Sequence, residues 1–224
     1  MDRSALTLTV GEHMREAAEA LHRKTGVPYR LFERLTGLEA CDALMATLAE
    51  ISHRPVPKRL RRARSRLVDA MLDGHCHFGG RRMAVAAEPD HLIALVRSLT
   101  EMGAEGRVAV TTVAATGLEA LPVEEVVVGD LGDLERRAAG CDLILTHTHG
   151  RQGAARLGLP LHRTGFPVFD RLGAPHQVSI GYRGTSRLIF EIANRLIEHA
   201  ERMDLPHKTN PPVRHVFPTP AACC

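Results

Sequence analysis

Apolar side chains recur along this chain in two alternating rhythms, short runs of strand length and longer runs spaced for one face of a helix. LTLTV at Leu6 to Val10 alternates apolar and polar residues and predicts a half-buried strand. Glu12 to Lys24 places Met14, Ala17, Ala18 and Leu21 on one helical face, and Tyr29 to Phe32 predicts a second short strand. From Thr36 the pattern turns helical again. Glu39 stands three residues on, as in a capping box, and Leu38, Cys41, Leu44, Met45, Leu48 and Ile51 supply the inward face. Two parallel strands with two helices make an incomplete sheet, so residues 1–55 are expected to form a partial α/β domain, entered in mid-domain.

The two prolines of HRPVP mark a linker, and residues 56–80 a connecting helix and turn. That helix is predicted from Lys58 to Leu72, with Leu60, Ala63, Leu67, Ala70 and Met71 inward and Arg59, Arg62 and Arg66 on another face. Over 81–203 strand and helix alternate. Met83 to Ala87, Val108 to Val113, Val126 to Gly129 and Leu143 to Thr146 read as buried strands. Pro89 to Met102, Asp130 to Ala139, Gln152 to Leu157 and Thr185 to Met203 read as helices. The expected fold is therefore α/β, a Rossmann-like parallel sheet flanked by helices and preceded by a partial second α/β domain. Residues 204–224 are too proline-rich to pack and are expected to form a flexible tail.

Composition narrows this picture only slightly. With no Trp, two Tyr and six Phe, the core must be aliphatic, and a formal net charge of +3 names no partner. No apolar run approaches the roughly 18 residues of a membrane span, and no basic-then-apolar leader is visible, so neither span nor export is expected. The five cysteines lack Cys-x-x-Cys spacing and are odd in number, which fits a reduced, cytoplasmic compartment. Cys41, Cys76 and Cys141 read as small buried hydrophobes, and Cys223 and Cys224 as incidental.

Candidate chemistry gathers after the strands. THTHG at Thr146 to Gly150 has the His-x-His of zinc hydrolases but not their following Asp-His, and His147 and His149 are too few to hold zinc. A second His-x-His, His75 and His77, lies in DGHCHFGG, where Gly74 reads as a helix cap and both histidines as turn residues. They could reach a metal, an anion or a partner, or merely cap carbonyls. Ala86-Ala87-Glu88-Pro89 ends the first strand of the larger unit without open glycines, so a dinucleotide is not expected. Arg54, Lys58, Arg59, Arg61, Arg62, Arg64 and Arg66 form a basic run without interleaved aromatics. A solvated face is the first reading, an acidic protein partner the second, and nucleic acid is set aside.

The runs DGHCHFGG, LPVEEVVVGDL, DLILTHTHGRQGAARLG, GFPVFDRLGAPH and GYRGTSRLIFEIAN, within about residues 12 to 199, resemble the nitrogenase component 1 family. DGHCHFGG and THTHGRQ point to its scaffold branch, on which the iron–molybdenum cofactor is assembled. The resemblance implies three Rossmann-like domains of roughly 150 residues in a full subunit, of which this chain matches only the second half. It further implies pairing with an E-type scaffold subunit in a heterotetramer and docking of the nitrogenase Fe protein. An iron–sulfur cluster and an iron–molybdenum cofactor precursor belong to the complete complex, the precursor mainly to the E-type subunit. No cysteine here matches the family's cluster ligand, so none is expected bound by this chain alone. The role implied is that of a non-catalytic subunit. His75, His77, His147, His149, Arg151, Asp170, Arg171, Tyr182 and Arg183 are its interface or cofactor-path candidates. Phe166, Pro167, Phe169, Asp170 and Arg171 would form a structural corner with both phenylalanines packed inside, and Asp170 would bond exposed backbone or Arg183. Alternatives are a redox subunit like dark-operative protochlorophyllide reductase, or a Rossmann-like enzyme using His147, His149, Arg151 and Asp170 on a small anion.

Overall fold

In a computed structural model that describes residues 4–204, the chain folds into two parallel sheets with helices against them. The sequence from 205 on, including Cys223 and Cys224 of the expected tail, lies outside the described residues. β1 (Thr7–Val10) leads through a 3-10 turn into α1 (Arg15–Thr25). β2 (Tyr29–Phe32) pairs parallel to β1, with Thr7 opposite Tyr29 and Val10 opposite Phe32. α2 (Leu38–Ser52) and α3 (Lys58–Phe78) then lead to the larger sheet.

That sheet comprises β3 (Arg82–Ala86), β4 (Glu105–Thr111), β5 (Val123–Val128), β6 (Leu143–Thr146) and β7 (Leu161–Arg163), in the spatial order β5-β4-β3-β6-β7. All neighbours run parallel. α4 (Pro89–Thr100), α5 (Leu131–Arg137), α6 (Arg151–Leu157) and α7 (Gly181–Asp204) complete it. The chain enters at the middle strand, builds outward to β5, and crosses back to β6. This reversal opens a crevice at the carboxyl ends of β3 and β6, where open α/β sheets bind ligands.

Alternation along each strand divides the core into two layers. Met83, Val85, Ala109, Leu143 and Leu145 face α3, α4 and α7, meeting Leu67, Leu92, Val96, Leu99, Leu188 and Ile192. Ala84, Ala86, Val108, Val110 and Ile144 face α5 and α6, meeting Leu134, Ala138 and Ala154. Each fully buried aliphatic side chain contributes about 1.5–3 kcal/mol. On the edge strand β5, Glu124 and Glu125 pair with Arg82, Arg107 and Arg137, so the unpaired edge carries charge.

The start of α2 and the end of α3 depart from the sequence reading. Thr36 does not cap α2: its residue is buried, Gly37 is the cap residue, and no side chain of that residue caps the helix. Instead Glu101, just beyond α4, accepts from the Leu38 N–H at 2.8 Å and from Arg34 at 2.7 Å, while Glu39 turns to Arg34. The cap comes from 63 positions away, which no local pattern reveals. α3 runs to Phe78, not Leu72, so Gly74, His75, Cys76 and His77 are helical and not a turn. Gly74 is buried there because α7 crosses it closely. A Cβ at Gly74 would sit 2.8 Å from Ile189 Cγ2 and 3.3 Å from Met102 Cε. Cys41 and Cys141 are buried as expected, but Cys76 is exposed on the outer face of α3.

Candidate functional site

β6 ends in the buried Thr146, and after His147 the chain enters a single 3-10 turn, Thr148–Gly150. That turn buries Thr148, leaving His147 half-buried and His149 exposed. Gly150 completes the turn into α6, since a Cβ there would overlap the methyl of Thr146. The imidazoles of His147 and His149 meet edge-on with centroids 5.5 Å apart. His149 meets Phe169 at 5.3 Å, and the Arg151 guanidinium lies 5.9 Å from that ring's centre. Burial, and then the neighbouring His149, lower the His147 pKa against the opposing pull of Glu88, and its Nδ1 is buried without a partner.

Beneath this cluster, Asp170 organises the loop after β7. Its carboxylate accepts from Arg163 Nε at 2.8 Å to both oxygens and from Thr148 Oγ1 at 2.8 Å. Thr148 Oγ1 in turn accepts the Phe169 N–H at 3.2 Å, and the Thr148 N–H donates to the Pro167 carbonyl at 3.1 Å. The Arg163 hydrogen bonds, with that of Thr148, hold Asp170 down to about 2. A carboxylate so acidic, with its lone pairs occupied, is a poor general base, which weighs against a catalytic role for Asp170. Arg171 is exposed and donates to the Asp170 carbonyl.

His147, His149, Arg151, Asp170 and Arg171 thus belong to one neighbourhood; the other candidates lie apart. His75 and His77 occupy the last turn of α3, at the opposite edge of the sheet, where β3 begins. A Cβ at Gly103 would lie 3.4 Å from His75 Cε1, so His75 rests beside the turn after α4. Tyr182 is buried and donates to Asp42 at 2.7 Å, and Arg64 reaches the same carboxylate at 2.9 Å. Burial raises Asp42, but Arg64 and Tyr182 outweigh it and hold the group below its usual range. Burial, then the bond to Asp42, raise the Tyr182 phenol. Arg183 joins Arg59, Arg62 and Arg66 around the half-exposed Phe190, in a groove of about 750 Å3 between α3 and α7 that also holds Asp69 and Asp73.

Two expectations for the loop fail. Phe166 and Phe169 are 80% and 61% exposed, so they supply no core packing. Asp170 pairs with Arg163, not Arg183. Residues that sequence reasoning passed over include Thr148, Arg163, the half-buried His91 and the buried His162. His91 Nε2 meets Thr164 Oγ1 at 2.6 Å. His162 is buried with Nδ1 unpartnered, and burial lowers its pKa to about 3. The opposite charges of Arg163 and Asp170, flanking a Gly-Phe-Pro turn, were the available signal for that pair.

The described residues do not fit an iron–sulfur cluster. No group of three or more His, Cys, Asp or Glu among them could hold a metal ion. Cys41 and Cys141 lie in different core layers, and burial raises both thiols, Cys41 to about 11. The thiolate that binds iron is thereby disfavoured.

A doubly wound parallel sheet, with its histidine–arginine cluster at the switch-point end, defines a Rossmann-like α/β protein. The chain belongs to the nitrogenase component 1 type oxidoreductase family, whose model matches residues 1–197. Over 208 residues it is 53% identical to the nitrogenase iron-molybdenum cofactor biosynthesis protein NifN of Bradyrhizobium diazoefficiens, covering 92% of this chain and 44% of that protein. The protein of the same name from Klebsiella pneumoniae is 38% identical over 216 residues, 94% of this chain and 47% of that protein. A solved structure described as nitrogenase Cp1 at pH 6.5 superposes with a TM-score of 0.84 at 29% identity, covering 95% of this chain and 49% of that one. The chain thus spans less than half the length of the curated relatives it matches. Among the described residues no helix is long and apolar enough to cross a membrane.

Proposed function

We propose that this chain supplies the carboxyl-terminal part of a NifN-type subunit of the scaffold on which the nitrogenase iron–molybdenum cofactor is assembled. The observation that carries this reading is its 53% identity, over 92% of its length, to a protein named for that biosynthesis. In this reading the chain works in the cytoplasm, within a heterotetramer with an E-type subunit to which the nitrogenase Fe protein docks. On the same reading the iron–sulfur cluster and cofactor precursor are held outside the described residues, whose three cysteines, two buried in different core layers and Cys76 exposed, form no metal-binding group. The chain's contribution is then to shape and present surfaces. His147, His149, Arg151 and Phe169 form one such surface, and His75 and His77 another.

A tagged copy, co-expressed with an E-type subunit and the remaining portion of a NifN-type chain, is expected to co-purify with both. It should also restore cofactor maturation in a host lacking its own NifN. Replacing His75 and His77 together by Ala should leave the circular dichroism spectrum unchanged and reduce co-purification or maturation several-fold. Failure of the unaltered chain to associate or to restore maturation would overturn the reading, and wild-type behaviour of the double variant would remove the two histidines from it.

A further inference from the structure

A further groove shares Arg163 and Arg171 with the loop after β7. It has a volume of about 500 Å3 and runs beside β7 between the end of α6 and the last turns of α7. Arg163, Arg171, Arg195 and Arg202 line it, against a single acidic side chain, Glu198. Arg163 is neutralised by Asp170. The other three guanidiniums pair with no carboxylate among the described residues. Arg195 is half-buried, and its Nε is buried without a hydrogen-bond partner. Burying part of a guanidinium unpaired is costly, and crowding it against like charges adds to the cost. In keeping with this, burial and then the nearby Arg171 and Arg163 lower the Arg195 pKa, against the pull of Glu198. Such an arrangement is relieved by an anion that arrives from solution.

We propose that this groove binds a small polyanion, a di- or tricarboxylate or an oligophosphate, gripped by Arg195 and Arg202 from α7 and by Arg171 from the loop after β7. Guanidinium forks match carboxylate and phosphate oxygens two at a time, and three converging forks select more than one negative charge. The volume lies within the roughly 300–1,000 Å3 of small-molecule sites. Leu159 and Pro160 wall one side and Glu198 stands in the lining, which disfavours a nucleic-acid strand and suits a compact ligand.

Isothermal titration of the 224-residue chain at low ionic strength tests this, with citrate and pyrophosphate as probes and acetate as the monovalent control. One saturable site for citrate or pyrophosphate is expected, with acetate at least ten-fold weaker. Whichever polyanion binds more tightly assigns the carboxylate or the phosphate class. Arg195→Gln should weaken the preferred polyanion at least ten-fold, about 1.4 kcal/mol. Arg187→Gln, the same charge change elsewhere on α7, should alter it less than two-fold. If Arg195→Gln fails to fold by circular dichroism, Arg171→Gln and Arg202→Gln, both at exposed positions, carry the same expectation. The proposal is overturned if neither polyanion saturates a site, if acetate binds equally well, or if Arg187→Gln matches the loss in the groove variants.

Discussion

At Asp170 one carboxylate ties together the end of β7, the turn after β6 and the loop between them, through Arg163, Thr148 and the chain around Phe169. Asp170→Asn removes the charge that Arg163 needs. The variant should show faster hydrogen exchange at the Phe169 and Thr148 amides, while α4 amides stay protected; unchanged rates at the first two would refute the clamp. Because the native pKa of Asp170 lies below its unfolded value, this contribution is present above about pH 4 and fades as pH falls toward 2. His162 acts in a higher window. Its native pKa, about 3, lies below the unfolded value of about 6.5, so the unfolded chain binds the extra proton as pH falls between the two. Its stability contribution is full above about pH 6.5 and drops with acidification, by about 2 kcal/mol at pH 5. His162→Leu should flatten the fall of Tm between pH 7 and 5, and an unaltered slope would count against it. The sequence made the histidines of THTHG conspicuous because their chemistry is versatile. The residue that organises the turn is Thr148, whose partner stands 22 positions on, beyond the reach of a local pattern.

β3 and β6 were legible at the scale of elements because each is a short, dense apolar run walled in on both faces, whereas the three residues of β7 are too few to stand out as a strand. Met83, Val85, Leu143 and Leu145 could be read as core directly. Where caps are local the helix start was legible, as at Asp130 before α5, but the start of α2 and the end of α3 were not, since they are set by contacts from across the fold. α2 takes its cap from Glu101, and α3 continues through Gly74 because α7 leaves room only for hydrogen. Gly74 looked like a stop signal and is a packing site instead. Gly74→Ala should destabilise the chain: overpacking costs about 1–3 kcal/mol, partly offset by up to about 1 kcal/mol of helix propensity. Pairing it with Ile189→Leu, which removes the offending γ-methyl, should recover part of the loss, as a double-mutant cycle in chemical denaturation would reveal. Strict additivity would show that α3 and α7 do not press together there.

For the whole molecule, alternation of strand and helix was enough to expect a parallel sheet, but strand order is set by contacts between distant segments and had to be seen. The small β1–β2 sheet leaves Leu8 and Val10 more than 40% exposed, whereas the central strands β3, β4 and β6 of its larger neighbour are covered on both faces. We propose on this basis that residues 1–55 open more readily than residues 81–203. Limited proteolysis should then trim the first unit and leave a resistant fragment beginning near the 53–57 linker, and equal resistance of the two would refute it. The order β5-β4-β3-β6-β7 also has a kinetic side. β3 meets β4 after one short helix, but it meets β6 only when Met83 finds Leu143, 60 positions along the chain. Until that long loop closes, one edge of the central strand stays open, and this pairing carries the largest loop-closure cost of any neighbouring pair in the five-stranded sheet.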